Sequence, residues 1–125
     1  MSEFICENIS VNPAGHLCFA GQDTAALAGQ YGTPLYLMDE DRLRRNMRVY
    51  TEAFRAHFAP GSRVLFASKA NAFRQIYRIA LSEGLGVDVV SPGEIYTAKS
   101  AGFDLAQAYF HSNNKTDADI AYAMD

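Results

Sequence analysis

Lys69 is the residue of this sequence best placed to do chemistry. It follows a short apolar run within Arg63-Val-Leu-Phe-Ala-Ser-Lys-Ala-Asn71. The run has the length of a buried strand, and small residues surround the lysine. Because apolar surroundings disfavour the ammonium, such a lysine retains more nucleophilic free amine, as a Schiff-base lysine requires. The alternative is a solvated strand end whose stem lies along apolar surface.

Two further residues could join Lys69 in a site. Asp88 stands alone among valines, and His111 follows a second apolar run. A carboxylate near Lys69 could hold the amine charged or transfer protons, and an imidazole titrates near neutral pH. Each has a structural alternative: Asp88 as a solvated strand end or a turn cap, and His111 as a hydrogen-bonded structural residue.

A repeated strand–helix pattern places these three residues at equivalent positions. The expected strands and helices are, in chain order, strand 64–67, helix 72–83, strand 86–90, helix 93–101, strand 108–111 and a helix from about 117 to the end. Three such units within about 60 residues predict parallel strands joined by helical crossovers. Ligands bind at the carboxyl ends of such strands, which is where Lys69, Asp88 and His111 fall.

Local chemistry supports the helix boundaries. Ser91-Pro92-Gly93-Glu94 predicts a capping box, with serine at the N-cap, proline at the first helical position and glutamate at the third. Gly84 and Gly102 are placed to stop the first two helices.

The first part of the chain predicts a different organisation. Residues 1 to about 22 read as β-rich, with a turn at 12–15, and a short helix capped by Asp23 or Thr24 and stopped by Gly32 follows. A strand is expected at 33–38, and then a long helix ended by Pro60-Gly61. That helix carries one apolar stripe, which indicates packing, formed by Leu43, Met47, Tyr50, Phe54 and Phe58.

Composition limits the classes of protein to consider. The chain has 125 residues, 49% hydrophobic and 20% charged, with a net charge of −3, which argues against nucleic-acid and anionic-membrane partners. Cys6 and Cys18 show no CxxC spacing, and no signal peptide or membrane span is evident, so a reduced, cytoplasmic protein is expected, with a single disulfide as the alternative. The three histidines lack metal-ligand spacing with the cysteines, so no metal site is predicted.

Four segments in order resemble the N-terminal part of the diaminopimelate decarboxylases, pyridoxal-phosphate enzymes of the alanine-racemase-like class (fold type III). The segments are Tyr31-Gly-Thr-Pro-Leu-Tyr36, Phe66-Ala-Ser-Lys-Ala70, Gly84-Leu-Gly-Val-Asp-Val-Val-Ser91 with Gly93-Glu94, and Phe110-His-Ser-Asn-Asn-Lys-Thr116. The lysine segment alone would also fit ornithine, arginine and carboxynorspermidine decarboxylases. The last segment resembles the diaminopimelate enzymes more closely, with Ser112 in place of their usual glycine.

The resemblance implies an α/β fold, the N-terminal portion of a (β/α)8 TIM barrel with about three strand–helix units. Residues 1–32 would be a β-rich segment that belongs with a C-terminal β domain, and residues 33–125 a partial, truncated barrel that binds pyridoxal phosphate. The family chain is roughly three times longer. This piece alone is therefore expected to be inactive, since it cannot close a barrel.

The resemblance also implies an activity: decarboxylation of meso-diaminopimelate to L-lysine and carbon dioxide, in lysine biosynthesis. Lys69 would hold pyridoxal phosphate as a Schiff base, Asp88 would lie near it, and His111 would lie at the third strand end. The complete enzyme would be a homodimer acting on a small amino acid. The alternatives are a polyamine-pathway decarboxylase, an amino-acid racemase, and a non-enzymatic α/β module with a solvated Lys69.

Overall fold

The chain divides into two compact units, one ending at Arg42 and the other spanning Leu43–Asp125. The computed structural model describes residues 6–125. The first five residues, with which the predicted β-rich segment begins, lie outside the described residues. Between residues 6 and 125, no helix combines the length and the apolar character needed to cross a membrane.

A small antiparallel sheet begins the first unit. Its three strands, adjacent in chain order, are β1 (Ile9–Val11), β2 (Leu17–Phe19) and β3 (Gln22–Asp23). The side-chain oxygen of Asn12 accepts the backbone N–H groups of Ala14 and His16 at 3.0 and 2.9 Å, which builds the turn between β1 and β2. The predicted turn at 12–15 and the predicted β-rich organisation are confirmed from residue 6 onward, whereas the two-residue β3 was not predicted.

Helix α1 (Thr24–Tyr31) follows and is capped as the sequence predicts. The carboxylate of Asp23 accepts the N–H groups of Ala25 and Ala26, and Gly32 ends the helix with a φ of 82°. The hydrogen bond with His16, at 2.8 Å, is the largest cause that lowers the pKa of Asp23 to about 2.

The strand predicted for residues 33–38 is wrong. No regular secondary structure is formed there, and within residues 6–125 no strand of either sheet pairs with this segment. Tyr36 is 99% exposed. A run of apolar and β-branched residues favours extended backbone, but a strand also needs a neighbour for its N–H and C=O groups.

Helix α2 (Glu40–His57) is the long helix expected after this segment, with Glu40 and Asp41 in its first turn. Its apolar stripe is only partly packed. Met47 is 6% exposed and belongs to the core of the second unit, whereas Tyr50 and Phe58 are 62% and 56% exposed.

A parallel sheet forms the centre of the second unit, and its strands alternate with helices. In chain order the elements are β4 (Leu65–Ala67), α3 (Arg74–Ser82), β5 (Gly86–Val89), α4 (Pro92–Ala101), β6 (Ala108–Phe110) and α5 (Asp117–Met124). Strand β5 lies between β4 and β6, and both pairs are parallel. The three predicted strand–helix units are therefore confirmed.

One face of this sheet forms the core with helices α3 and α4. Val87 and Val89 of β5 are 0% and 1% exposed. Tyr77 of α3 is fully buried, and its ring meets Phe66 and Phe103 edge-on at centroid distances of 5.6 and 6.3 Å. Because side chains alternate along a strand, Asp88 lies on the opposite face from these two valines.

An ion-pair cluster joins α2 to the end of α3. Arg44 and Arg48 donate to the Glu83 carboxylate at 2.6 to 2.8 Å. The guanidinium of Arg48, followed by that of Arg44, lowers the pKa of Glu83 to about 2. Glu83 is also the residue that ends α3, so the cluster fixes a helix terminus.

Candidate active site

Lys69 lies in a tight turn directly after β4. Residues Ser68–Ala70 form one turn of 3-10 helix, closed by the N–H of Asn71 donating to the carbonyl of Ser68 at 3.1 Å. The Lys69 side chain is exposed and hydrogen-bonds to no residue between 6 and 125. Its amine is therefore exposed at the carboxyl end of the first parallel strand, and residues 6–125 do not provide the apolar surroundings that the sequence predicted for it.

Asp88 lies beside the strand that leads to Lys69. It pairs with Ala67 of β4 on one side and with Tyr109 of β6 on the other. Its Oδ1 atom is buried and has no hydrogen-bond partner among the described residues. An unpaired buried carboxylate oxygen is unfavourable, because it has lost water without gaining a donor.

His111 follows β6 at the same edge of the sheet. Its backbone N–H donates to the carbonyl of Val89 at 2.9 Å, which continues the ladder, while its side chain is exposed. The loop after it is fastened by Lys115, whose Nζ donates to the carbonyls of Phe110 and Ser112 at 3.3 and 2.9 Å. The three predicted site residues thus lie at or near the carboxyl ends of three adjacent strands.

The predicted capping box at α4 is only half formed. The Ser91 hydroxyl accepts the N–H of Glu94 at 3.3 Å, as expected. The Glu94 carboxylate does not return to the N–H of Ser91; its Oε2 accepts the N–H of Val90 at 2.8 Å and the hydroxyl of Ser68. The physical reason is that Ser68 is fully buried and needs a partner, which Glu94 supplies.

The link between Ser68 and Glu94 is the feature of the site that the sequence did not reveal. The residues are 26 positions apart, so no local motif contains both. One signal was present: alternation from Phe66 places Ser68 on the core-facing side of the strand, where a hydroxyl must find a partner.

Tyr77 completes the buried surroundings of Ser68. Burial is the main cause that raises the pKa of the Tyr77 hydroxyl; an interaction with the Ser68 hydroxyl lowers that pKa, and the nearby Glu94 carboxylate raises it. By geometry, the hydroxyl has no hydrogen-bond partner in the described part of the chain.

Residues 40–125 match the family described as pyridoxal-dependent decarboxylase, pyridoxal binding domain. The chain belongs to this family. The residues at this edge of the sheet fit a pyridoxal group, since Lys69 offers an exposed amine to an aldehyde and Asp88, on the adjacent strand, offers an unpaired carboxylate oxygen.

Two diaminopimelate decarboxylases are similar to this chain, one in sequence and one in structure. The diaminopimelate decarboxylase of Methanothermobacter thermautotrophicus is 45% identical over 118 residues, which cover 94% of this chain and 27% of that protein. The crystal structure of the M. jannaschii diaminopimelate decarboxylase in complex with L-lysine superposes with a TM-score of 0.81 at 33% identity, over 94% of this chain and 28% of that one.

A lysine/ornithine decarboxylase of Vibrio vulnificus, complexed with putrescine, is also similar, with a TM-score of 0.71 and 29% identity over 81% of this chain and 26% of that one. The chain spans about a quarter of the length of the relatives it matches.

Proposed function

We propose that the protein carrying this chain decarboxylates meso-diaminopimelate to L-lysine and carbon dioxide, with pyridoxal phosphate held covalently by Lys69. The observation that carries the proposal is the position of Lys69, with a free amine at the strand end of a domain whose family is pyridoxal-dependent. The choice of substrate is supported by the relatives, since the 45% identical protein is a diaminopimelate decarboxylase.

The residues of this chain would have distinct roles. Lys69 Nζ would bind the cofactor and give it up to the amino group of the substrate. Asp88 would stabilise positive charge on the nitrogen of Lys69. Its Oδ1 atom is available for this role because it accepts no hydrogen bond from the described residues. When bound, pyridoxal phosphate supplies a ring that takes up the electron pair left by departing carbon dioxide. His111 would contribute its side chain to the site from the carboxyl end of β6.

The proposal extends to the complete protein. The three strand–helix units would be the first of an eight-unit barrel, and the small sheet of the first unit would belong with a C-terminal β domain. The active enzyme would be a homodimer. A cytoplasmic location would suit the two cysteines, Cys6 and Cys18, which are free thiols.

A lysine or ornithine decarboxylase is the second candidate, favoured by the similarity to the Vibrio vulnificus enzyme. The full-length protein would be supplied with meso-diaminopimelate, ornithine, arginine and lysine in turn, and carbon dioxide and the amine product would be measured. We expect kcat/KM for meso-diaminopimelate to exceed that for the others at least about tenfold. A preference for ornithine, lysine or arginine would refute the proposed substrate, and racemisation without carbon dioxide release would refute the reaction.

A further inference from the structure

We propose that Ser68 is a positioning residue for Lys69, acting through its hydrogen bond to Glu94. The inference rests on the proposed function, because it concerns the placement of the lysine that would hold the cofactor. It assigns a role to a hydroxyl that does not touch the substrate.

The first support is the way in which Ser68 is held. Ser68 is fully buried and directly precedes Lys69. Its carbonyl accepts the N–H of Asn71 at 3.1 Å and its hydroxyl donates to Glu94. The turn that carries Lys69 is therefore fixed at both the backbone and the side chain of one residue.

The second support is what lies at the other end of the link. The same Glu94 oxygen that accepts from Ser68 also accepts the N–H of Val90 at 2.8 Å. Val90 follows the last residue of β5, and Asp88 lies within that strand. One carboxylate oxygen thus joins the turn of Lys69 to the strand end of Asp88.

Glu94 is itself fixed, so that the link is stiff. It lies in the first turn of α4, where the Ser91 hydroxyl accepts its N–H at 3.3 Å. A carboxylate near a helix N-terminus is stabilised by the helix dipole. A charge-assisted hydrogen bond to a fixed acceptor is stronger than a neutral one, so loss of the Ser68 hydroxyl should loosen the Lys69 turn.

The consequence for Lys69 is electrostatic as well as geometric. A carboxylate near the Lys69 nitrogen would favour the protonated form of that nitrogen when it holds the cofactor, and Asp88 lies on the adjacent strand. If the turn loosens, the mean distance between the two groups increases and the protonated form is favoured less. The pH midpoint at which the lysine-bound cofactor changes its visible absorbance should then fall.

The test uses the full-length enzyme loaded with pyridoxal phosphate, with Ser68→Ala as the variant and Ser100→Ala as the matched control. Ser100 is exposed on α4, and its hydroxyl donates to the carbonyl of Thr97 at 2.9 Å, away from the strand ends. We expect Ser68→Ala to lower the absorbance midpoint by about 0.5 pH unit and kcat roughly tenfold, with a smaller change in KM. Ser100→Ala should match the wild type in all three.

Three further variants keep the test decisive. If Ser68→Ala does not fold, Ser68→Cys keeps the shape of the side chain with a slightly larger atom and a weaker donor, and it should shift the midpoint in the same direction by a smaller amount. Glu94→Gln should also shift the absorbance midpoint. The Ser68→Ala/Glu94→Gln double variant should shift the midpoint by less than the sum of the two single effects, because the two residues act as a unit.

The result that would overturn the proposal is a Ser68→Ala enzyme that melts at a lower temperature but keeps the wild-type midpoint and kcat, since that would be a structural role alone. Failure of the proposed function looks different. In that case the wild-type enzyme itself would show no cofactor attached to Lys69 after borohydride reduction.

Discussion

Ala67 and Asp88 are paired residues of the parallel strands β4 and β5. This pairing brings a carboxylate alongside the last residue of the strand that leads into the Lys69 turn. Adjacent strands lie about 5 Å apart. The buried, unpaired oxygen of Asp88 and the free amine of Lys69 therefore belong to the same edge of the sheet, and that edge is the candidate site.

Asp88→Asn tests the carboxylate at nearly constant volume. If the charge stabilises the cofactor-bound nitrogen and assists proton transfer, kcat should fall about 10- to 100-fold while the protein still folds and binds cofactor. The control is Asp117→Asn, at an exposed aspartate of the first turn of α5. Steady-state kinetics of the three full-length proteins decide the matter. Equal kcat for Asp88→Asn and the wild type would rule out a catalytic role for Asp88.

The lowered pKa of Glu83 predicts that the fold loses stability at acid pH. Its pKa is lowered from 4.5 to about 2 in the folded state, so its ion pairs with Arg48 and Arg44 stabilise the fold above pH 4.5. That contribution is lost as the pH falls from 4.5 towards 2. Melting temperatures measured across this range should fall less steeply for Glu83→Gln than for the wild type.

The control for the Glu83 experiment is Asp117→Asn, at an exposed aspartate in the first turn of α5. Its melting curve should keep the steep wild-type dependence on pH. Parallel pH dependence of the wild type and Glu83→Gln would show that the cluster does not contribute to stability in this way.

Gly102→Ala should destabilise the fold by about 1 kcal/mol. Gly102 ends α4 with a φ of 99°, in the left-handed region that a Cβ atom disfavours. Gly93 is the matched control, because it lies in the first turn of the same helix without a positive φ, and Gly93→Ala should have little effect or a stabilising one. Urea denaturation gives both values. Equal effects at the two positions would contradict the capping role.

Tyr77→Phe should leave the free energy of unfolding unchanged or raise it by up to about 1 kcal/mol. The substitution keeps the ring that meets Phe66 and Phe103 edge-on, and it removes a buried hydroxyl without a described partner. Denaturant titration of the two proteins is the measurement. A loss of more than about 1 kcal/mol would mean that the hydroxyl makes a stabilising hydrogen bond.

The strand–helix units of the second unit were predictable because the signals for strands and the signals for helix ends agree along that stretch of the sequence. Apolar runs mark the three strands, and residues with fixed local roles mark the helix ends, such as Ser91 before α4 and Gly102 after it. The same kind of local signal gave a wrong prediction at residues 33–38. A strand forms only beside another strand, and the sequence of the segment alone does not show whether one is present.

The candidate site was predictable only in part. Parallel topology was enough to place Lys69, Asp88 and His111 at one edge. The contact between Ser68 and Glu94 was not predictable, because a glutamate at the third helical position can serve the N-cap N–H, the preceding N–H or a distant hydroxyl equally well by local criteria. Only the position of the turn after β4, next to the start of α4, selects among them.

The role of Lys69 is tested by identifying the lysine that holds the cofactor. The full-length enzyme would be loaded with pyridoxal phosphate, reduced with borohydride, digested and mapped by mass spectrometry. This chain has three lysines, Lys69, Lys99 and Lys115. We expect the reduced cofactor on Lys69, and no labelled peptide from this chain in Lys69→Ala. A label on Lys99 or Lys115 with Lys69 unmodified, or undiminished labelling of Lys69→Ala, would contradict this role of Lys69.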